Sequence, residues 1–213
     1  MRKGIHCLFL VVAVVALGGC NLFGPSGPQL LYEERFSQAE GNSWYVGGGE
    51  TYRWWIADGK YHYESQPEEW RGVKNPAAGQ FEDFELKVDV EHISGTDNKT
   101  SPYIMFRIVD WDNYYRFLVS PAGTFRLEKK VAGTWTTLKG WTSHEAIHTG
   151  PGTNRVAVVA SGSQLTFFVN GQQVHQTTDD SLVGGQIGVG CGSYAGNTTL
   201  HVAFDNIEVW SLP

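Results

Sequence analysis

The residues best suited to meet a ligand are two tryptophans and three arginines: Trp70 beside Arg71, Trp111 between Asp110 and Asp112, and Arg107 and Arg116 in segments of alternating polarity. A turn rarely needs an indole for packing. Its flat face suits the C–H face of a sugar, while guanidinium forks bridge neighbouring hydroxyls or grip a carboxylate. A second set is acidic. Phe84, Leu86, Val88 and Val90 alternate with Glu85, Lys87, Asp89 and Glu91, so a strand here projects Asp89 and Glu91 from one face. Carboxylates so spaced fall within the separations used in acid–base hydrolysis of a glycosidic bond, roughly 5–10 Å. Each set also has a plain alternative: cross-strand ion pairs for the charges, and rings folded over a core edge for the indoles.

The elements that would position these residues are short strands. In residues 103–141, if Ile104, Phe106, Ile108, Tyr115, Phe117, Val119, Phe125 and Leu127 face inward, then Arg107, Tyr114, Arg116, Arg126 and Glu128 face outward together. Turns at 110–113, 121–123 and 132–133 break this period-two pattern into an antiparallel meander. Trp70 and Arg71 fall in a stretch, 66–80, that reads as an irregular loop. Asp58-Gly59 and residues 161–163 mark hairpins, and the strands flanking the second are apolar on both faces, as in a deeply placed pair. Leu200, Val202 and Phe204 share one parity while Ile207 and Val209 share the other, which predicts a bulge at Asp205-Asn206. No stretch has helical amphipathic spacing. About twelve strands and no helix imply two packed antiparallel sheets.

The chain has 213 residues, 41% hydrophobic and 18% charged, which describes a globular domain and not a disordered one. Its 8 Trp, 9 Tyr and 11 Phe make it rich in rings. Net charge is -6; without residues 1–19, which hold Arg2 and Lys3 and no acid, 14 bases face 22 acids, a balance of -8. That excludes a nucleic-acid partner, which needs a basic footprint. Arg2 and Lys3 precede an apolar run at 7–17, too short to span a bilayer but of the length of a secretory signal. It ends in Leu17-Gly18-Gly19-Cys20, which resembles the bacterial lipobox. The resemblance implies a signal peptide at 1–19, lipidation of Cys20, a tether to residue 29 and a single domain at 30–213. It further implies a membrane-anchored, extracytoplasmic protein of the cell envelope. Cys191 is then the sole free thiol, expected to be packed, and no intrachain disulfide forms.

One ordered series of motifs is more specific: Phe106-Arg107, Asp112-Asn113-Tyr114-Tyr115-Arg116-Phe117, Asn154-Arg155-Val156, Phe168-Val169-Asn170-Gly171, Gly185-Gln186-Ile187-Gly188 and Phe204-Asp205-Asn206-Ile207. Across residues 30–210 the series resembles the bacterial concanavalin A-like, laminin G-like jelly rolls, nearest the keto-disaccharide hydrolase-type domains. The resemblance implies an all-β, antiparallel two-sheet jelly-roll sandwich. It also implies a Ca2+ site joining Glu34 in the first strand to Asp205. Laminarinase-like members carry Glu-x-Asp-x-x-Glu, and no frame in residues 82–91 fits it. The resulting expectation is a lipoprotein whose sandwich binds a glycan without cleaving it, through Trp70, Arg71, Arg107, Trp111 and Arg116. The alternatives are a glycoside hydrolase using Asp89 and Glu91, and a non-catalytic envelope protein-interaction domain.

Overall fold

The computed structural model describes residues 27–38, 40–95, 98, 100–194 and 199–213. The expected signal peptide, the lipidation site Cys20 and tether residues 21–26 lie outside the described residues. Fifteen strands carry the fold: β1 (Leu30–Glu34), β2 (Gly47–Gly48), β3 (Tyr52–Ala57), β4 (Lys60–Ser65), β5 (Trp70–Lys74), β6 (Phe84–Ser94), β7 (Thr100–Asp110), β8 (Asn113–Ser120), β9 (Thr124–Val131), β10 (Thr134–Ser143), β11 (Gly152–Ser161), β12 (Gln164–Val169), β13 (Gln172–Thr178), β14 (Gln186–Ser193) and β15 (Leu200–Ser211). One 3-10 turn, Pro76–Ala78, is capped by the Asn75 side chain accepting from the Ala77 amide.

All strand pairings among the described residues are antiparallel. One sheet runs β13-β12-β11-β6-β15-β4-β3-β2, with β1 also on β15, and the other runs β10-β9-β8-β7-β14-β5. The alternation along β6 puts Phe84, Leu86, Val88 and Val90 between the sheets and leaves Glu85, Lys87, Asp89 and Glu91 half-buried on the outer face. Aromatic rings fill the gap from both sides: Phe117 of one sheet meets Phe167 of the other at 4.8 Å between centroids. Each such ring contributes on the order of 2–3 kcal/mol through the surface it removes from water.

The predicted bulge in β15 is present. Pairing with β6 slips between Asp205 and Glu208, and Asn206 adopts a φ of 47°. On the edge away from β6 the strand serves two partners, β4 along Leu200–Phe204 and β1 further on.

The structure corrects the reading at three places. First, the described residues form fifteen strands where about twelve were expected, since β2 and β5 are short and carry little periodicity. Second, Trp70 and Arg71 lie in β5, the edge strand of the six-stranded sheet, and not in an irregular loop. Third, Arg107 does not face outward. It is fully buried, and its guanidinium donates to the carbonyl oxygens of Leu182 (3.0 Å), Glu82 (3.0 Å) and Gly162 (2.8 Å).

The cause is a bulge in β7. Arg107 has a φ of 50°, and the register slips against β8 after Phe106 and against β14 between Gln186 and Gly188. Parity reverses there, so Ile104 and Phe106 enter the main core while Ile108 joins a second cluster with Tyr103, Met105, Tyr114 and Leu118. Gly185 makes the crossing possible: a Cβ on it would stand 2.6 Å from the Arg107 backbone.

Candidate functional site

The outer face of the six-stranded sheet carries a groove of about 460 Å³, walled by Trp70, Tyr103, Trp111, Tyr114, Arg116 and Trp135. Beneath two of its rings runs the glycine-bearing strand β14. Gly188, Gly190 and Gly192 recur at every second position of β14. A Cβ on Gly190 would meet the Tyr103 ring at 2.2 Å, and one on Gly192 the Trp70 ring at 2.0 Å. Both rings therefore lie flat across β14. Tyr103 starts from β7, crosses Gly190 and donates its hydroxyl to the Arg71 carbonyl of β5 at 3.0 Å. Trp70 stacks near-parallel to it, 16° between planes and 6.3 Å between centroids.

The remaining rings meet edge to face. Tyr114 meets Trp111 at 88° and Trp135 at 87°. Trp111 and Trp135 are 47% and 43% exposed, so these large apolar rings face solvent and not the core. Arg116 sits among the rings, its guanidinium carbon 4.0 Å from Trp135, 4.8 Å from Trp70 and 5.3 Å from Tyr103. Its fork is occupied by Glu128 at 2.7 and 2.6 Å. Arg116 thus spaces and polarises the cage, while the free faces of the rings make the contact surface.

A second hollow, of about 300 Å³, adjoins the groove across the β5 edge and is lined by Tyr45, Tyr52, Trp54, Arg71, Gly72, Val73, Lys74 and Trp111. The two share Arg71, Gly72 and Trp111. Arg71 lies 4.7 Å from the Tyr52 ring and pairs with Glu69 at 3.0 Å. Trp70, Arg71, Trp111 and Arg116 are therefore gathered on one surface, and Arg107 is not.

The acids Asp89 and Glu91 belong to the other sheet, in a pocket of about 210 Å³ with Lys60, Thr153, Asp205 and Asn206. Glu91 pairs with Lys60 at 2.7 Å. Asp89 accepts from Arg155 at 3.2 Å and from the Asn206 side-chain amide at 2.8 Å. Asp205 stands opposite Asp89 in the ladder. Burial, and then the charge of Asp89, push its carboxyl above the ordinary range, against the Asn206 amide that favours its ionised form.

Glu34 and Asp205 do not fit calcium as placed. Glu34 accepts from the Phe36 amide (2.7 Å) and from Asn42 (3.0 Å), one bond to each oxygen, and Asp205 accepts from the Asn206 amide at 2.7 Å. Calcium takes six to eight oxygens, and among the described residues no three His, Cys, Asp or Glu side chains form a metal-holding group. Cys191 is fully buried, and burial raises its thiol far from reactivity.

Residues 34–210 match the family model described as a 3-keto-alpha-glucoside-1,2-lyase-like domain. The chain belongs to this family. No curated protein matches it. Among solved structures, it is similar to the carbohydrate binding module CBM66 from Bacillus subtilis at 16% identity and a TM-score of 0.62, covering 79% of this chain and 96% of that one. Laminarinase from Flavobacterium sp. gives 13% identity and 0.62, covering 86% and 100%. The Bacillus licheniformis beta-glucanase gives 10% and 0.61, covering 89% and 100%. The shared feature is the fold, a concanavalin A-like jelly roll.

Within this lyase-like family member, sequence reasoning missed Tyr103, Tyr114, Lys130 and Trp135 as groove residues. Two signals point to them. Tyr114 shares parity with Arg116, and Gly188, Gly190 and Gly192 leave one face of β14 bare for rings from its neighbours. Trp135 follows the turn at 132–133, and the pairing of β10 with β9 carries it to the cage.

Proposed function

We propose that the domain binds a glycan on the outer face of its six-stranded sheet and does not cleave it there. The observation that carries this reading is the groove: exposed indoles around a caged guanidinium, with no carboxylate among its lining residues. Stacked rings supply the apolar platform that sugar faces take. Glycosidase chemistry requires two facing acids, and those near the groove are engaged elsewhere, Glu128 by Arg116 and Arg126 and Asp112 by Lys130. Likeness of fold to a carbohydrate binding module supports a carbohydrate ligand. An open groove of this kind gives weak affinity, about 4–8 kcal/mol or micromolar to millimolar.

A second reading, hydrolysis or lyase chemistry, has one observation in its favour: Asp205 with raised proton affinity opposite Asp89, an arrangement that can separate an acid from a base. A glycan array read beside an assay for released reducing sugar decides between the two. Binding that falls at least fivefold in Trp135→Ala, with no sugar released, supports the groove. Product release that stops in Asp89→Asn supports the enzyme.

Anchoring is part of the same proposal. The order basic start, apolar run and Leu17-Gly18-Gly19-Cys20 supports lipidation at Cys20. A tether of nine residues reaches at most about 30 Å, so the sandwich would work close to the membrane, outside the cytoplasm.

A further inference from the structure

The two hollows that meet across β5 have a charge character opposite to that of the protein. Between them they are lined by Arg71, Lys74, Arg116 and Lys130, and by no Asp or Glu. The whole chain has 22 acids against 16 bases. Three of the four cations are already neutralised from outside the lining: Arg71 by Glu69, Arg116 by Glu128 and Lys130 by Asp112. Lys74 differs, since it makes no ion pair among the described residues. Its ammonium lies 5.7 Å from the Trp111 ring, at the wall the hollows share. Asp110 is close enough to feel its charge, but that carboxylate already accepts from the Asp112 amide (2.7 Å) and from Asn113 (2.8 Å).

The walls on either side of this cation are aromatic. Trp135, Tyr114 and Trp111 stand on one side, and Tyr45, Tyr52 and Trp54 on the other. Volumes of about 460 and 300 Å³ each fall within the range of sites that hold a small molecule, roughly 300–1,000 Å³. They meet over Gly72, where a Cβ would collide with Met105 at 2.7 Å. The Met105 and Tyr103 side chains fill the space over Gly72, and the hollows adjoin through their shared lining of Arg71, Gly72 and Trp111, so one ligand chain can touch both.

We infer that the ligand is an acidic oligosaccharide of at least two units, laid across the β5 edge with its carboxylate or sulfate group on Lys74. This rests on the glycan-binding reading and names its ligand class. The aromatic walls hold sugar faces on both sides, and the unpaired ammonium selects an anion between them. In an acidic protein this local cation also offsets the general repulsion an anionic chain meets on approach.

The test titrates the full-length protein with an oligogalacturonate, its fully methyl-esterified counterpart, and a sulfated galactan oligosaccharide of similar length. The acid or the sulfate should bind about tenfold more tightly than the ester, and the advantage should shrink as salt is raised, since an exposed charge pair is screened. The tighter of the two identifies the anion. Lys74→Gln should remove about threefold to tenfold of the anionic affinity and leave the ester unchanged. Trp135→Ala should weaken all three probes. Equal binding of acid, sulfate and ester, or a Lys74→Gln protein that keeps the anionic preference, overturns the inference while glycan binding stands. Failure of every array glycan defeats the glycan reading and the inference with it. Binding to phosphatidylglycerol vesicles in place of oligosaccharides overturns it in favour of a lipid surface.

Discussion

The Arg116 guanidinium is clamped by Glu128 at 2.7 and 2.6 Å while its face lies 4.0 Å from Trp135. Glu128, 6% exposed, also takes Arg126, so one buried carboxylate holds two guanidinium groups beneath the cage. Removing one partner of a buried pair leaves uncompensated charge. Glu128→Gln should therefore cost about 3 kcal/mol of stability and weaken glycan binding by releasing Arg116 from between the indoles. Denaturant unfolding and a glycan titration check the two effects. A change in stability with unaltered affinity would show that the cage does not depend on its clamp.

Arg107 should act on stability alone. Arg107→Ala removes the charged donor that serves the carbonyl oxygens of Leu182, Glu82 and Gly162, bonds worth about 1.5–3 kcal/mol each. Arg107→Lys should also destabilise, because a compact ammonium cannot reproduce the fork that spans Leu182, Glu82 and Gly162. Glycan affinity of the folded fraction should match the parent for both variants. Reduced affinity at full folding would return Arg107 to the binding surface.

Asp179 makes the sandwich acid-sensitive. Burial pushes its carboxyl up, but hydrogen bonds from Lys129, Tyr115 and Ser181 outweigh this and hold it down at about 2. Two of those partners, Tyr115 on β8 and Lys129 on β9, belong to the six-stranded sheet, whereas Asp179 follows β13 of the other. In the unfolded chain the group titrates near about 3.9, so the unfolded state binds its proton first. Its contribution is complete above that pH and is lost as pH falls toward 2, on the order of 2 kcal/mol. Unfolding midpoints at pH 5, 4, 3 and 2.5 should fall more steeply in the parent than in Asp179→Asn. Parallel curves would remove Asp179 from the account.

Lipidation predicts a biochemical outcome. Cys20→Ala should abolish incorporation of labelled palmitate and leave the protein unprocessed or unanchored. Continued labelling of the variant would place the lipid elsewhere.

Much of the fold was legible because period two survives in β6, β8 and β9, and because Gly and Asn mark the turns. The β15 bulge was legible too, since Val202 and Phe204 fall out of phase with Ile207 and Val209. The β7 bulge was not. Arg107 and Ile108 fit an unbroken alternation, and only the crossing strand, through Gly185 and the slip before Gly188, shows that the parity reverses. Trp70 and Arg71 were assigned to a loop because β5 is short and takes its order from β14. Half the cage stayed hidden for a related reason. Trp135 reaches Tyr114 through two successive strand pairings, and no local spacing records that neighbourhood.

The bare face of β14 has a consequence for how such a surface changes over generations. Side chains on the walls can be exchanged by single substitutions, but Gly190 and Gly192 cannot accept even a methyl group without displacing Tyr103 or Trp70. Inherited variation in what is bound should therefore accumulate at the rims, in the turn that carries Trp111 and the hairpin that carries Trp135. Lengthening either would recontour the cleft, while the strip of backbone beneath it stays unaltered.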